Sequence, residues 1–371
     1  MSGSTPTVTP PPRRTARRRT ATRAFAAVVA LVIVASLVVG TPGTANALST
    51  KNRSDAAAGW LGRQLTGRVI VGDFGPDYGL TADVVLALDS ASVGKVAARK
   101  ATKALKAHVL DYTGGGVPAE FYAGSFAKLL NVAAAQNADP RHFGGSSRNN
   151  LVHTLRGLEC GHKGRPACPA GDRGRYSDIS TFGDFSNTIG QSLALIGLER
   201  TTAWGPEKTS ITYLRHQQCT NGAFPLELST AGCTPSVDAT AFAVQALLVS
   251  GKKKAMNAAL DGARWLKRHQ HGNGSFTGNG VRNANSTGLA GQALLAAGRA
   301  KAAAEANAFL RSLQVGCGGK AANRGLVHYA THTDGDPIRA TSQAVPALAG
   351  VGLAKITKKG ALHKLPHLDC S

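Results

Sequence analysis

Two kinds of helix alternate along this chain, and one kind has scarcely a polar side to offer water. Residues 259–270 carry Leu260, Ala263 and Leu266 on one helical stripe, with Arg264, Lys267 and Arg268 off it. That pattern predicts an amphipathic surface helix. A glycine-rich turn follows, Gly272-Asn273-Gly274-Ser275-Phe276, and then a run at 286–295 that is apolar nearly all round. A helix of that second kind must be buried on every side. One half-exposed helix, a turn and one wholly buried helix cannot cover their own apolar surface, so copies must stand beside them.

The copies are present. An aromatic-Leu pair followed by Gln occurs as Tyr213-Leu214 with Gln218, Trp265-Leu266 with Gln270 and Phe309-Leu310 with Gln314; Trp60-Leu61 with Gln64 is looser. A Gly-x-aromatic turn recurs at Gly72-Asp73-Phe74, Gly174-Arg175-Tyr176, Gly222-Ala223-Phe224 and Gly274-Ser275-Phe276. The buried helix carries Thr followed by Ala-Leu at Thr81, Thr188, Thr240, Thr287 and Thr341, and a degenerate copy runs through 123–130. Spacings of roughly 40–65 residues suit helical-pair repeats with variable loops.

The motif at 262–276, a glycine, aromatic-Leu-x3-Gln and Gly-x-aromatic, resembles the QW-type repeat of terpenoid cyclases and protein prenyltransferases (the prenyltransferase and squalene oxidase repeat). The resemblance spans most of 48–371 and is strongest from Tyr213 to Gln314. It implies an all-α fold, an α/α toroid of about six inner helices ringed by six outer ones. Only such a two-layer ring buries the apolar helices on all sides.

Charge and the N-terminal segment narrow the setting. There are 43 Lys+Arg against 21 Asp+Glu in 371 residues. Residues 1–47 hold six arginines, no acid, an apolar stretch over 24–39 and Ala45-Asn46-Ala47, which reads as a cleaved secretory signal peptide. The apolar core is shorter than the ~20 residues a membrane anchor needs. Removal takes the formal charge from +22 to +16 (22 − 6) and leaves 48–371 as one toroid domain. The expected localisation is extracellular, with attraction to an anionic cell-wall polymer. No transmembrane anchor after processing, no nucleic-acid partner and a monomeric state are expected.

All six cysteines, Cys160, Cys168, Cys219, Cys233, Cys317 and Cys370, lie in the exported part, which predicts three disulfides. Sequence alone does not choose the pairing; proximity favours 160–168 and 219–233, leaving 317–370.

Function is less legible, because one fold hosts unrelated activities. The Asp-x-Asp-Asp acid of squalene-type cyclases is missing, and Gly316-Cys317-Gly318-Gly319-Lys320 lacks the Glu and Gln of the complement-like thioester. Prenyltransferases use a zinc site, which paired cysteines would preclude; no metal and no cofactor are expected. Asp238 stands at a helix start, where N-capping is its simplest role. His269 and His271 read as solvated groups near a helix end. Asp334 and Asp336 read as a turn, and Lys252-Lys253-Lys254 as a solvated helix start. Vitamin B12 carriers have a similar toroid, so exported, disulfide-bonded members can be binders.

Parallel inner helices would gather their N-termini at one mouth, with Phe74, Phe224 and Phe276 nearby. The expected ligand-binding set there is Asp77, Tyr78, Tyr176, Asp178, Asp238 and Asn285, suited to a small molecule or glycan. Binding without catalysis is the favoured reading. A cyclase- or hydrolase-like enzyme with an unidentified acid is the alternative.

Overall fold

The computed structural model describes residues 50–144, 150–163, 165, 168–202, 205–331 and 335–370. The expected signal peptide and Asp334 lie outside them. Among the described residues there are thirteen α-helices: α1 (Thr50–Arg63), α2 (Tyr78–Ser90), α3 (Lys95–Ala107), α4 (Val109–Gly114), α5 (Ala123–Ala135), α6 (Leu151–Gly157) and α7 (Thr188–Thr201). They continue as α8 (Lys208–His216), α9 (Val237–Val249), α10 (Lys253–His269), α11 (Ala284–Ala296), α12 (Ala300–Ser312) and α13 (Pro337–Leu348). Residues 48–371 form one compact unit.

The apolar helices form the inner ring. Each of α2, α5, α7, α9, α11 and α13 packs on the next in that order, and α13 returns to α2. Helix α9 shows why the pattern demands this: Ala239, Thr240, Ala241, Ala243, Val244, Gln245, Ala246 and Leu247 are all buried. The outer helices α3, α6, α8, α10 and α12 bury one stripe each, whereas α1 is buried continuously from Ala56 to Gly62. In α10 that stripe is Ala255, Ala258, Ala259, Gly262, Ala263, Trp265 and Leu266, while its lysines face out. The fold is the expected α/α toroid, six helices within six. Short antiparallel hairpins β1–β2 (Ile70–Gly72, Gly75–Asp77), β3–β4 (Phe224–Pro225, Pro235–Ser236) and β5–β6 (Phe276–Gly278, Val281–Asn283) lead into α2, α9 and α11.

The recurring residues hold neighbouring repeats together. The Gln270 amide donates to the Gly274 carbonyl (3.1 Å) in its own turn and to Ala302 (2.8 Å) in the next outer helix. Gln218 does the same to Gly222 (2.9 Å) and Ala258 (2.8 Å). Gln314 closes the ring, donating to Gly325 (3.1 Å) and to Arg53 (2.9 Å) in α1. Inside each turn, an inner-helix hydroxyl accepts the N–H of the residue wedged between the layers: Thr81 from Ile70, Thr240 from Phe224, Thr287 from Phe276 and Thr341 from Val327.

That bonding corrects three sequence assignments. The wedge of the first repeat is Ile70, fully buried, while Phe74 is fully exposed at the tip of β1–β2. In α7 the residue serving the turn is Gln191, one turn beyond Thr188: its Oε1 accepts Tyr176 N–H (2.9 Å) and its amide donates to Gly174 (2.9 Å). The Gln64 amide donates back to the Trp60 carbonyl in the preceding helix α1 and not to a neighbouring repeat.

Three disulfides are formed as proximity suggested, Cys160–Cys168, Cys219–Cys233 and Cys317–Cys370, with Cα separations of 5.6, 5.7 and 5.5 Å. The last anchors a tail that crosses the end of the ring where the inner helices finish. Arg200 donates to the Leu353 carbonyl (3.1 Å) and to Ile356, and Gln245 accepts the Leu353 N–H (2.9 Å). Farther on, Lys358 N–H reaches Ala135, Gly94 N–H reaches Lys364, and Arg63 reaches Pro366. The tail thereby floors the ring. Replacing Cys317 and Cys370 together by serine is expected to cost about 2–4 kcal/mol. Hydrogen exchange should then quicken over 357–369 while Leu353 keeps its protection; uniform quickening would show that the disulfide holds the floor itself.

Candidate functional site

The register of the turns identifies the residues that face the ring axis. Counted from the turn-binding residue, positions two before, two after and five after recur at i, i+4, i+7, one stripe of a helix. They place Ile189, Asp238 and Arg339 nearest the mouth. Asp83, Leu193, Phe242, Leu289 and Gln343 come next, with Lys128 from α5, and then Leu86, Gln292 and Pro346. With Leu353 and Ile356 as floor, they enclose an axial cavity of about 250 Å3.

Its charge is confined to one level and the rim. Lys128 Nζ lies 2.9 Å from Asp83 in a pair only 22% and 16% exposed. Burial by itself would lower the Lys128 ammonium; Asp83, then Tyr112, overcome that and carry it above its ordinary value. Arg339 Nε is 3.8 Å from Asp336 at the rim.

A larger groove of about 690 Å3 opens at the mouth between the start of α9 and the end of α10. One wall carries Trp265, His269, His271 and Thr277, the other Glu227 and Pro235, and Asp238 belongs to both the groove and the axial cavity. Asp238 is not the N-cap of α9. Ser236 is, accepting the Ala239 N–H at 3.2 Å, which leaves the carboxylate in the first turn free of the capping role. Asp238 Oδ1 is buried without a hydrogen-bond partner among the described residues. Burial raises its pKa, and the Ser286 hydroxyl offsets part of the rise.

Trp265 is 4% exposed, and its Nε1 is likewise buried without a partner. The His269 ring stacks on the indole at 4.0 Å, and its Nδ1 lies 2.8 Å from the Trp265 carbonyl. A carbonyl only accepts, so Nδ1 carries a proton. His271 Nε2 meets Thr277 Oγ1 at 2.9 Å; burial first, then Arg282, depress its pKa. The two histidines are thus held by separate partners. Among the described residues, no group of three His, Cys, Asp or Glu side chains could hold a metal ion.

The other expected site residues are elsewhere or otherwise engaged. Tyr176 is a core residue, 1% exposed, with its hydroxyl near Ser210 (3.4 Å), because its Gly-x-aromatic turn wedges it between the layers. Asp178 accepts from Ala123 N–H (2.7 Å) and Phe185 N–H (3.1 Å), serving the start of α5 from another loop. Asp77 caps α2 through the Leu80 N–H (2.7 Å). Tyr78 stacks on His108 at 5.0 Å on the outer flank, beside a shallow pocket with Phe74 and Asp111. Asp336 caps α13. Asn285 shares the axial stripe with Asp238, and its Oδ1 is buried without a partner. Phe224 and Phe276 are buried wedges. Of the expected set, then, only Asp238 lines the groove or the cavity. Asp83, Lys128, Phe242, Trp265 and Arg339 were legible as members of the stripe or the repeat, but not as site residues.

No family model and no curated protein matches the chain. Solved structures share its fold. An unsaturated glucuronyl hydrolase specific for heparin superposes with a TM-score of 0.58 at 14% identity, covering 81% of this chain and 96% of that one. The type II terpene cyclase MstE from Scytonema gives 0.58 at 16% identity, covering 81% and 97%. A protein from Actinoplanes gives 0.55 at 17%, covering 81% and 99%. At such identities the common property is the α/α toroid.

Proposed function

We propose that this toroid binds a glycan or small polar organic molecule in the groove at the inner-helix N-terminal mouth, with Asp238 at its base. The observation that carries this reading is a pair of buried, unpartnered polar atoms, Asp238 Oδ1 and Trp265 Nε1, on residues lining one groove. Leaving such groups unpaired costs about 1–3 kcal/mol each. Once groove side chains shift to uncover these two atoms, a ligand hydroxyl can accept from the indole and another can donate to the carboxylate. The indole and the stacked imidazole supply the apolar surface that sugar rings and similar bodies use. We place the protein outside the cell as a monomer, a setting that three disulfides support.

A second reading makes the site catalytic. A general acid needs a carboxyl whose pKa lies above its ordinary value, and burial shifts Asp238 in that direction where groove and axial cavity join. The resemblance in fold to a hydrolase and a terpene cyclase favours weighing it. The axial cavity, about 250 Å3, accommodates only part of a larger ligand.

Titration calorimetry against an oligosaccharide and metabolite panel tests both. Asp238→Asn and Trp265→Phe are each expected to weaken a hit about tenfold, the equivalent of one hydrogen bond to a buried group. Unchanged affinity in both would remove the groove from consideration. Turnover of the same hit that vanishes in Asp238→Asn, with binding retained, would select the enzyme.

A further inference from the structure

The dipeptide Asn-Gly occurs three times in the chain, at 221–222, 273–274 and 279–280. A glycine has no Cβ to shield its amide nitrogen, so this pair is well suited to react with itself, the glycine nitrogen attacking the asparagine Cγ. In a folded protein three restraints oppose the attack. They are the bonds of the asparagine amide, the bond of the glycine N–H, and the packing around the glycine.

The first two pairs have all three restraints. Asn221 Oδ1 accepts the Ala223 N–H at 3.0 Å, and Asn273 Oδ1 accepts from the Ser275 N–H (3.2 Å) and hydroxyl (2.7 Å). The Gly222 N–H donates to the Cys219 carbonyl at 2.9 Å, and the Gly274 N–H to the His271 carbonyl at 2.8 Å. Both glycines are buried against the next outer helix, at Asp261 of α10 and Glu305 of α12.

The third pair has none of them. Asn279 and Gly280 form the tip of β5–β6, between the paired Gly278 and Val281, with φ 51 and 78. A two-residue hairpin with both central residues left-handed favours Asn-Gly, so the turn itself requires the reactive pair. Both residues are exposed. Among the described residues neither the Asn279 side chain nor the Gly280 N–H forms a hydrogen bond, and a Cβ at Gly280 would meet nothing within 4 Å. Rotating the Asn279–Gly280 peptide toward Cγ therefore meets no resistance from neighbouring groups.

We propose that Asn279 is a self-modification site that converts to aspartate and isoaspartate in the folded protein. The Gly280 nitrogen bonds to Asn279 Cγ and gives up its proton, the bond from Cγ to the side-chain nitrogen breaks, and ammonia leaves. Water then opens the resulting succinimide. Opening at the side-chain carbonyl gives aspartate; opening at the main-chain carbonyl gives isoaspartate. Asn279 lines the groove that also holds Glu227 and Asp238, so either product adds a carboxylate to its wall and disfavours anionic ligands there. The chemistry is the same whatever the groove binds.

The test incubates the purified, folded protein at mildly alkaline pH, with a parallel sample in denaturant. Mass spectrometry then follows the amide-to-acid change in the peptides that hold Asn221, Asn273 and Asn279. In the folded protein Asn279 should convert at least about tenfold faster than the other two, which react only while their turns are open. In denaturant the three rates should converge. Hydroxylamine, which cleaves at a succinimide, should cut the folded protein between residues 279 and 280, and Asn279→Gln should abolish that cut. Equal conversion of the three pairs in the folded protein would overturn the proposal, as would an unchanged Asn279 there while the denatured chain reacts.

Discussion

Gly274→Ala is expected to be among the most damaging single substitutions in this protein, costing at least about 4 kcal/mol. Gly274 has φ +86, and a Cβ built on it would lie 2.0 Å from the Glu305 carbonyl oxygen in α12. The obstacle is backbone on both sides. It cannot be relieved by a side-chain rotation, and moving it would break the Gln270 bonds to Gly274 and Ala302. Gly280 separates the two contributions: its φ is +78 but nothing lies within 4 Å. Gly280→Ala should therefore show only the left-handed strain, about 1 kcal/mol. Gly222, whose Cβ would stand 3.0 Å from the Asp261 carbonyl, should fall between them. Thermal melts of the three variants check the order. An equal loss at Gly274 and Gly280 would mean that close approach of turn and helix contributes nothing.

The same geometry explains which parts of the fold the sequence displayed. The turn glycine, the Gln and the hydroxyl are visible because each is the one residue type able to fill a backbone-to-backbone role. The wedge is not, since any large apolar side chain fills the space between layers. Ile70 and Val327 serve as well as Phe224 and Phe276. An aromatic signature therefore points to Phe74, four residues after the true wedge, and misses Gly325-Leu326-Val327. Thr188 misled for a related reason: Gln191 supplies both the acceptor and the donor that other repeats divide between a Thr and a Gln.

The site was less legible because its residues follow no repeat consensus. At the axial position nearest the mouth stand Asp238 on one helix and Ile189 or Arg339 on others. They become visible only after the turn register fixes which stripe faces inward. Choosing residues near the turns, as for Tyr176 and Asp178, selects the joints of the ring instead of its lining. Asp238 is the exception: its place at a helix start puts it in the expected binding set, and it lines the groove and the cavity, while the capping role also expected of it falls to Ser236, two residues earlier.

Two buried carboxyls make stability depend on pH in an unusual direction. Asp89, 1% exposed beneath the tail, is raised to about 6 by burial; the Gln136 amide, then Lys358 and Arg200, limit the rise. Glu159, 2% exposed, is raised to about 7, again by burial first, with Thr209 donating to one oxygen at 2.7 Å and opposing the shift. In the unfolded chain both titrate near 4. Between the unfolded and folded values the folded state holds the protons, so unfolding releases them and stability falls as pH rises. The loss begins near pH 4 and is complete above about pH 6 for Asp89 and about pH 7 for Glu159, at roughly 3 kcal/mol for each group. Denaturant midpoints should therefore be higher at pH 5 than at pH 8. Glu159→Gln, which keeps an acceptor for Thr209 but cannot ionise, should remove about two thirds of that difference, and Asp89→Asn most of the remainder. A midpoint that rises from pH 5 to pH 8, or a slope that both substitutions leave intact, would show that these carboxyls are not what the stability of the closed ring responds to.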